Sequence, residues 1–159
     1  FRYYIKGGTT MSVKADQLST QEYIVRWNQF LERFIVFETV FSEYTRTSKN
    51  IIKGRCLVDE NLESLNEYFQ RNLRVFKQFI DQATLLNPPK ELREINRQLQ
   101  LVMTDYVSSA EAMVTAFNEG DELNLYQKLT TSRQQQKSLR IRISELLNQI
   151  AVFKTQAVK

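Results

Sequence analysis

The stretch that decides the fold is residues 23–44, which read YIVRWNQFLERFIVFETVFSEY. At about 100° per residue, its aromatic residues fall within an arc of roughly 100°, with Ile24, Leu31 and Ile35 along one flank. Seven side chains make up this aromatic stripe: Tyr23, Trp27, Phe30, Phe34, Phe37, Phe41 and Tyr44. The pattern predicts a long amphipathic helix whose aromatic face is buried.

Start and stop signals bound this first helix. Ser19-Thr20-Gln21-Glu22 has the S/T-x-x-E spacing of a capping box, which satisfies free backbone amides at a helix start. Gly54 can adopt the left-handed conformation that ends many helices, so we expect the helix to end near Lys53.

Three further helices follow by the same reasoning. Asp59 or Asn61 can cap helix two, Asn87-Pro88-Pro89 ends it, and Pro89 should start helix three. Asn118-Glu119-Gly120-Asp121 reads as a stop followed by a new cap, which starts helix four. The predicted inner faces are Leu62, Leu65, Phe69, Leu73, Phe76, Ile80 and Ala83 in helix two; Leu92, Ile95, Leu99, Met103, Tyr106, Ala110, Met113 and Phe117 in helix three; and Leu125, Leu129, Leu139, Ile143, Leu147 and Ile150 in helix four.

These elements predict an all-α fold. Only four Gly and two Pro occur in 159 residues, which is little punctuation for a chain of many strands. Short connections make neighbouring helices antiparallel, so we expect an up-and-down four-helix bundle over residues 19–159. Residues 1–18 form an extended or flexible N-terminal segment in this interpretation.

The composition argues against most enzyme chemistry. The chain has no His, which removes the commonest general base and the Glu-x-x-His ligands of di-iron bundles. It contains neither glycine-rich nucleotide-binding motif, and its single Cys56 cannot close an internal disulfide. We therefore predict a non-enzymatic protein without cofactor or metal, and the compartment stays open.

The positive charge is concentrated in helix four. Residues 1–120 carry fifteen basic and fifteen acidic side chains, whereas residues 121–159 carry seven and three. Arg133, Lys137 and Arg140 share one edge of this helix, which could meet an acidic protein partner or, less readily, nucleic acid. A charged flank that only covers apolar surface is the simpler interpretation. No run approaches the roughly 18 apolar residues of a membrane-spanning helix.

Polar residues interrupt the predicted core halfway along the bundle. Ser132 and Gln136 take inward positions of helix four, and Glu38 falls inside the aromatic stripe. Pairing the helices from their turns brings several of these residues to one level, with Arg133 or Arg140 near enough to neutralise the carboxylate. We predict a polar layer of Glu38, Asn72, Tyr106 and Gln136. Such a layer either fixes the helix register or binds a small polar ligand.

One feature of the connections suggests a family. Residues 86–92, LNPPKEL, followed about thirty residues later by Glu119-Gly120-Asp121, resemble a pattern of secreted or lipid-anchored helical-bundle proteins of bacteria, many of unknown function. The resemblance covers roughly the C-terminal half of the chain. It implies an extracytoplasmic binding or structural role and carries over no catalytic residue.

Two classes of function follow. The first is a binding or structural module at a bacterial cell envelope, outside the cytoplasm. The second is an intracellular helical adaptor or oligomer that starts at Met11 and meets an acidic partner or nucleic acid through helix four. The chain begins at Phe1 with no initiator Met, which leaves a removed signal peptide, a removed anchor and an artificial junction as alternatives.

Overall fold

A computed structural model describes residues 3–6, 9–12, 16–54 and 61–157. Its helices are α1 (Thr20–Ile52), α2 (Leu62–Thr84), α3 (Arg93–Asn118) and α4 (Glu122–Ala157). The predicted all-α four-helix bundle is therefore confirmed. Within the N-terminal segment, the strands β1 (Tyr3–Lys6) and β2 (Thr9–Ser12) pair as an antiparallel hairpin.

Both signals that bound α1 act as predicted. The Ser19 hydroxyl accepts a hydrogen bond from the backbone N–H of Glu22 at 3.1 Å and donates one to the Glu22 carboxylate at 3.0 Å. At the other end the helix stops at Ile52, and Gly54 has the left-handed φ of 72°. A residue with a Cβ is strained in that conformation, which is why glycine suits the position.

The connection between α2 and α3 differs from the prediction in one respect. Asn61 caps α2, since its side-chain oxygen accepts from the backbone N–H of Ser64 at 2.8 Å; Asp59, the other candidate, lies outside the described residues. Pro89 does not begin α3 directly. It has the extended ψ of 153° and precedes a 3₁₀ turn at Lys90–Leu92, so the α-helix starts one turn later, at Arg93.

The turn into α4 is built as predicted. Gly120 has a φ of 74°, and the carboxylate of Asp121 accepts from the backbone N–H groups of Leu123 and Asn124 at 3.0 and 3.3 Å. An acidic cap at this position also interacts favourably with the positive end of the helix dipole.

The four helices pack as a ring in which α1 lies between α2 and α4, and α3 lies between the same two helices. Side-chain contacts give their relative direction: Tyr44 bonds to Asn66 near one end of α1, whereas Phe30 stacks on Phe79 nearer the other. Residue numbers therefore increase along α1 in the direction in which they decrease along α2. The same reversed order holds for Lys77–Glu111 and Thr84–Gln100 between α2 and α3, Gln98–Arg142 and Met113–Gln136 between α3 and α4, and Glu38–Arg133 and Lys49–Tyr126 between α1 and α4.

The aromatic stripe of α1 fills the centre of the bundle. Trp27, Phe34 and Phe41 are 2%, 1% and 0% exposed, and only Phe37 lies at the edge of the core. Phe76 of α2 is the hub of this cluster. Its ring lies 5.0 to 6.3 Å from the rings of five neighbours, which are Phe34, Phe37, Phe41, Phe79 and Tyr106.

Replacing Phe76 by alanine should lower the free energy of unfolding by about 3 to 5 kcal/mol, because burial is lost and a cavity remains. The matched control is Val75→Ala, one position away on α2, where the side chain is 54% exposed. That change should stay within about 0.5 kcal/mol. Urea unfolding followed by circular dichroism measures both. Equal effects of the two substitutions would contradict the packing described above.

Candidate functional site

A buried ion pair lies at mid-height between α1 and α4. The Nη2 atom of Arg133 is 2.8 Å from Oε1 of Glu38, and the two side chains are only 13% and 6% exposed. Glu38 sits within the aromatic stripe, where an isolated carboxylate would be costly. The guanidinium of Arg133 offsets that cost. The sequence had left Arg133 and Arg140 as alternatives for this role, and Arg140 is exposed.

Gln136 extends the pair towards α3. Its Oε1 accepts a hydrogen bond from Nη1 of Arg133 at 3.2 Å, and its Nε2 lies 4.0 Å from the sulfur of Met113. Gln136 is fully buried, and Ser132 beside it is 2% exposed. The structure therefore brings Glu38 and Gln136 of the predicted polar layer together, with Arg133 as the cation between them.

Tyr106 approaches the polar layer from across the bundle. Its ring lies 5.1 Å from that of Phe34 and 6.1 Å from that of Phe41, which precede and follow Glu38 by one helical turn. Tyr106 is therefore level with Glu38. Its hydroxyl and Oε2 of Glu38 are buried and make no hydrogen bond with the described residues. Buried oxygens of this kind are usually bonded to ordered water.

Asn72 does not join this layer, contrary to the sequence prediction. It is half-buried on the flank of α2, and its amide donates to the backbone carbonyl of Tyr68 on the same helix at 2.9 Å. The inner seam of α2 passes through its neighbour Leu73 instead. A rotation of about 100° per residue is enough to move Asn72 out of the core.

Two buried tyrosine–asparagine pairs were not predicted. The hydroxyl of Tyr23 donates to Asn96 of α3 at 2.8 Å, and that of Tyr44 donates to Asn66 of α2 at 3.1 Å. Burial raises the pKa of both phenols, that of Tyr44 to about 12. Both tyrosines belong to the predicted aromatic stripe, and the signal available in the sequence was an Asn on the inner arc of each partner helix.

The basic edge of α4 is divided by the fold. Arg133 points inward to Glu38, whereas Lys137 and Arg140 remain exposed. Among the described residues, no three His, Cys, Asp or Glu side chains are grouped so that they could hold a metal ion. None of the described helices combines the length and apolar character needed to cross a membrane.

A groove of about 190 Å³ lies on the outer surface between α1 and α2. Phe30 and Phe79 form its floor, with their rings stacked at 4.4 Å. Arg26 and Arg33 line it on α1, and neither forms an ion pair with a carboxylate of the described residues. The complete lining is Arg26, Gln29, Phe30, Arg33, Phe79, Gln82, Ala83 and Leu86.

Comparison with known proteins provides no relative from which a site could be transferred. No protein family, curated protein or solved structure matches this chain.

Removing the cation of the polar layer should be strongly destabilising. Arg133→Met leaves the buried Glu38 carboxyl group without its ion-pair partner, and we expect a loss of about 3 to 5 kcal/mol in the free energy of unfolding. Replacing both residues, as in Glu38→Leu with Arg133→Met, should recover most of that loss. Lys137→Met on the exposed side of α4 is the control. If Arg133→Met behaved like the control in urea unfolding, the buried pair would be refuted.

Tyr44 should make the stability of the bundle sensitive to high pH. Its folded pKa of about 12 exceeds the ordinary value of about 10, so the protonated phenol stabilises the fold fully below pH 10. That contribution is lost as the pH rises from about 10 to about 12. Tyr44→Phe should make the fall in the free energy of unfolding between pH 10 and 12 less steep. Tyr68→Phe, at an exposed position, should leave that slope unchanged. Denaturant unfolding from pH 8 to 12 tests this, and parallel profiles for wild type and Tyr44→Phe would contradict it.

Proposed function

We propose that this chain is a non-enzymatic helical-bundle module that binds a protein partner. Following its resemblance to secreted and lipid-anchored bacterial bundles, we place that role at a bacterial cell envelope, outside the cytoplasm. The observation that carries the proposal is the groove between α1 and α2. It combines an apolar floor with two arginines that no carboxylate of the described residues neutralises.

The interior of the bundle supports the same conclusion. Its charged and amide groups largely bond to one another: Glu38 to Arg133, and Asn66 and Asn96 to tyrosines of α1. Groups committed in this way are better suited to fixing the register of the helices than to reacting with a substrate. The surface that remains available for recognition is on the outside.

The alternative is an intracellular adaptor that meets an acidic partner or nucleic acid through α4. The geometry favours it less, because Arg133 is engaged with Glu38. Lys137 and Arg140 then remain as the exposed part of the predicted edge. Binding of nucleic acid generally needs more phosphate contacts than two cations provide.

Site-specific photo-crosslinking in the cells that make this chain tests the proposal. A photoreactive amino acid at Gln29 or Gln82, on opposite walls of the groove, should give the same crosslinked polypeptide. The same group at Leu101, a 52% exposed position on α3, should not. The crosslink should weaken when the chain without the photoreactive group is co-expressed in excess, and the crosslinked product should fractionate with the cell envelope. Crosslinks confined to Lys137 or Arg140 would favour the alternative.

A further inference from the structure

The groove has an ordered apolar floor. The rings of Phe30 and Phe79 are nearly parallel, at 10°, and only 7% and 8% of these residues is exposed. Ala83 continues the floor along α2 and is 6% exposed. Because the two rings stack on each other, the floor offers no open ring face on which a nucleic-acid base could stack, and its small exposed area matches only the tip of an apolar side chain.

Arg26 and Arg33 form the positive wall of the groove, and Arg33 is held in place by its contact with the floor. The guanidinium carbon of Arg33 lies 5.6 Å from the centre of the Phe79 ring, a cation–π contact that holds the planar group over the groove. Arg26 precedes it by two helical turns on the same side of α1. Because an α-helix rises about 1.5 Å per residue, the two guanidinium groups stand on backbone positions about 10 Å apart.

Among the described residues that line the groove there is no carboxylate, and the facing wall contributes the neutral amide of Gln82. Two guanidinium groups that no carboxylate of the described residues neutralises attract anions, and their planar fork binds carboxylates with two parallel hydrogen bonds. The charge of the groove therefore complements an acidic ligand, and its floor complements an apolar side chain.

The dimensions indicate a helical ligand. On α1 the groove runs from Arg26 to Arg33, which is about 10 Å or two helical turns, and it is closed on the other side by residues from Phe79 to Leu86, just beyond the end of α2. A groove between two neighbouring helices accepts the apolar face of a third. On such a helix, acidic residues seven positions apart match the separation of Arg26 and Arg33.

We propose that the α1–α2 groove binds an acidic amphipathic helix of a partner protein. An apolar side chain of that helix rests on Phe30 and Phe79, and two carboxylates seven residues apart pair with Arg26 and Arg33. This inference rests on the proposed function, because it names the chemistry of the partner segment at the same groove.

A displayed library of helical peptides tests the inference directly. One face of each peptide varies among Glu, Gln, Lys, Leu and Phe, and the intact chain is the bait. We expect selection of Glu at two positions seven apart with Leu or Phe between them. Synthetic peptides from this selection should bind at least about 10-fold more tightly than their Glu→Gln twins, and less tightly as salt is raised.

Charge reversal provides the matched variants. Arg26→Glu with Arg33→Glu should weaken the selected peptides by at least about 10-fold and should gain affinity for a twin carrying Lys in place of Glu. Arg93→Glu with Lys128→Glu changes exposed residues of α3 and α4 by the same total charge and should leave binding unchanged.

Several outcomes would overturn the inference. Selection of peptides without Glu, or equal binding by the Glu→Gln peptides, would reject the recognition of an acidic ligand. The proposed function would still be tested separately by crosslinking at Gln29. Amide shifts on α3 and α4 instead of the groove would reject the site. A duplex oligonucleotide that binds more tightly than the peptides through Arg26 and Arg33 would replace the protein partner by nucleic acid. A dimer that is lost on charge reversal would identify a second copy as the occupant.

Discussion

The need to bury the aromatic stripe of α1 governs the rest of the structure. Phe and Trp side chains remove some 150 to 250 Å² each from water, so a helix that carries seven aromatics on one face cannot remain exposed. Three other helices are required to enclose such a face, and their own apolar seams meet it as a ring. The ring contacts of Phe76 and Tyr106 show that α2 and α3 both reach the stripe.

Within this apolar centre, the polar layer has a cost that only geometry offsets. A buried ion pair often contributes less stability than apolar residues of the same shape, but it becomes very unfavourable when either partner is displaced. Sliding α4 by one turn along α1 would separate Arg133 from Glu38. The tyrosine–asparagine pairs constrain α1 against α2 and α3 in the same manner. We therefore expect these polar contacts to select one register among the several that hydrophobic burial would allow.

A consequence for function is that the inside and the outside of the bundle have separate roles. Buried polar groups pair with one another across the helices, whereas the groove lies on the outer surface. Arg33 is held by its contact with Phe79, so a ligand in the groove would meet a side chain that is already ordered. Preorganised contacts of this kind improve affinity because less freedom is lost on binding. The packing of the core and the proposed recognition at the surface are thus connected through Phe79, which belongs to both.

Most of the local structure could be predicted from the sequence. Local structure depends on residues that are close together in the chain. The aromatic stripe follows from helical periodicity, and the caps at Ser19 and Asn61 and the turn at Gly120 follow from short local motifs. The inward position of Gln136 followed from the same pattern.

The side-chain contacts between helices did not all follow from this periodicity. Asn72 lies outside the layer in which it was expected, and Asn66 and Asn96 form bonds that were not foreseen. Periodicity left Arg133 and Arg140 as alternatives for the cation beside Glu38, and only the structure shows that it is Arg133. The groove, too, exists only where Phe30 and Phe79 meet. By itself the sequence determined which side of each helix faces inward, because that depends on a fixed angle per residue. The tertiary structure decided which side chains touch, because a small rotation or shift of one helix against its neighbour changes every contact between them.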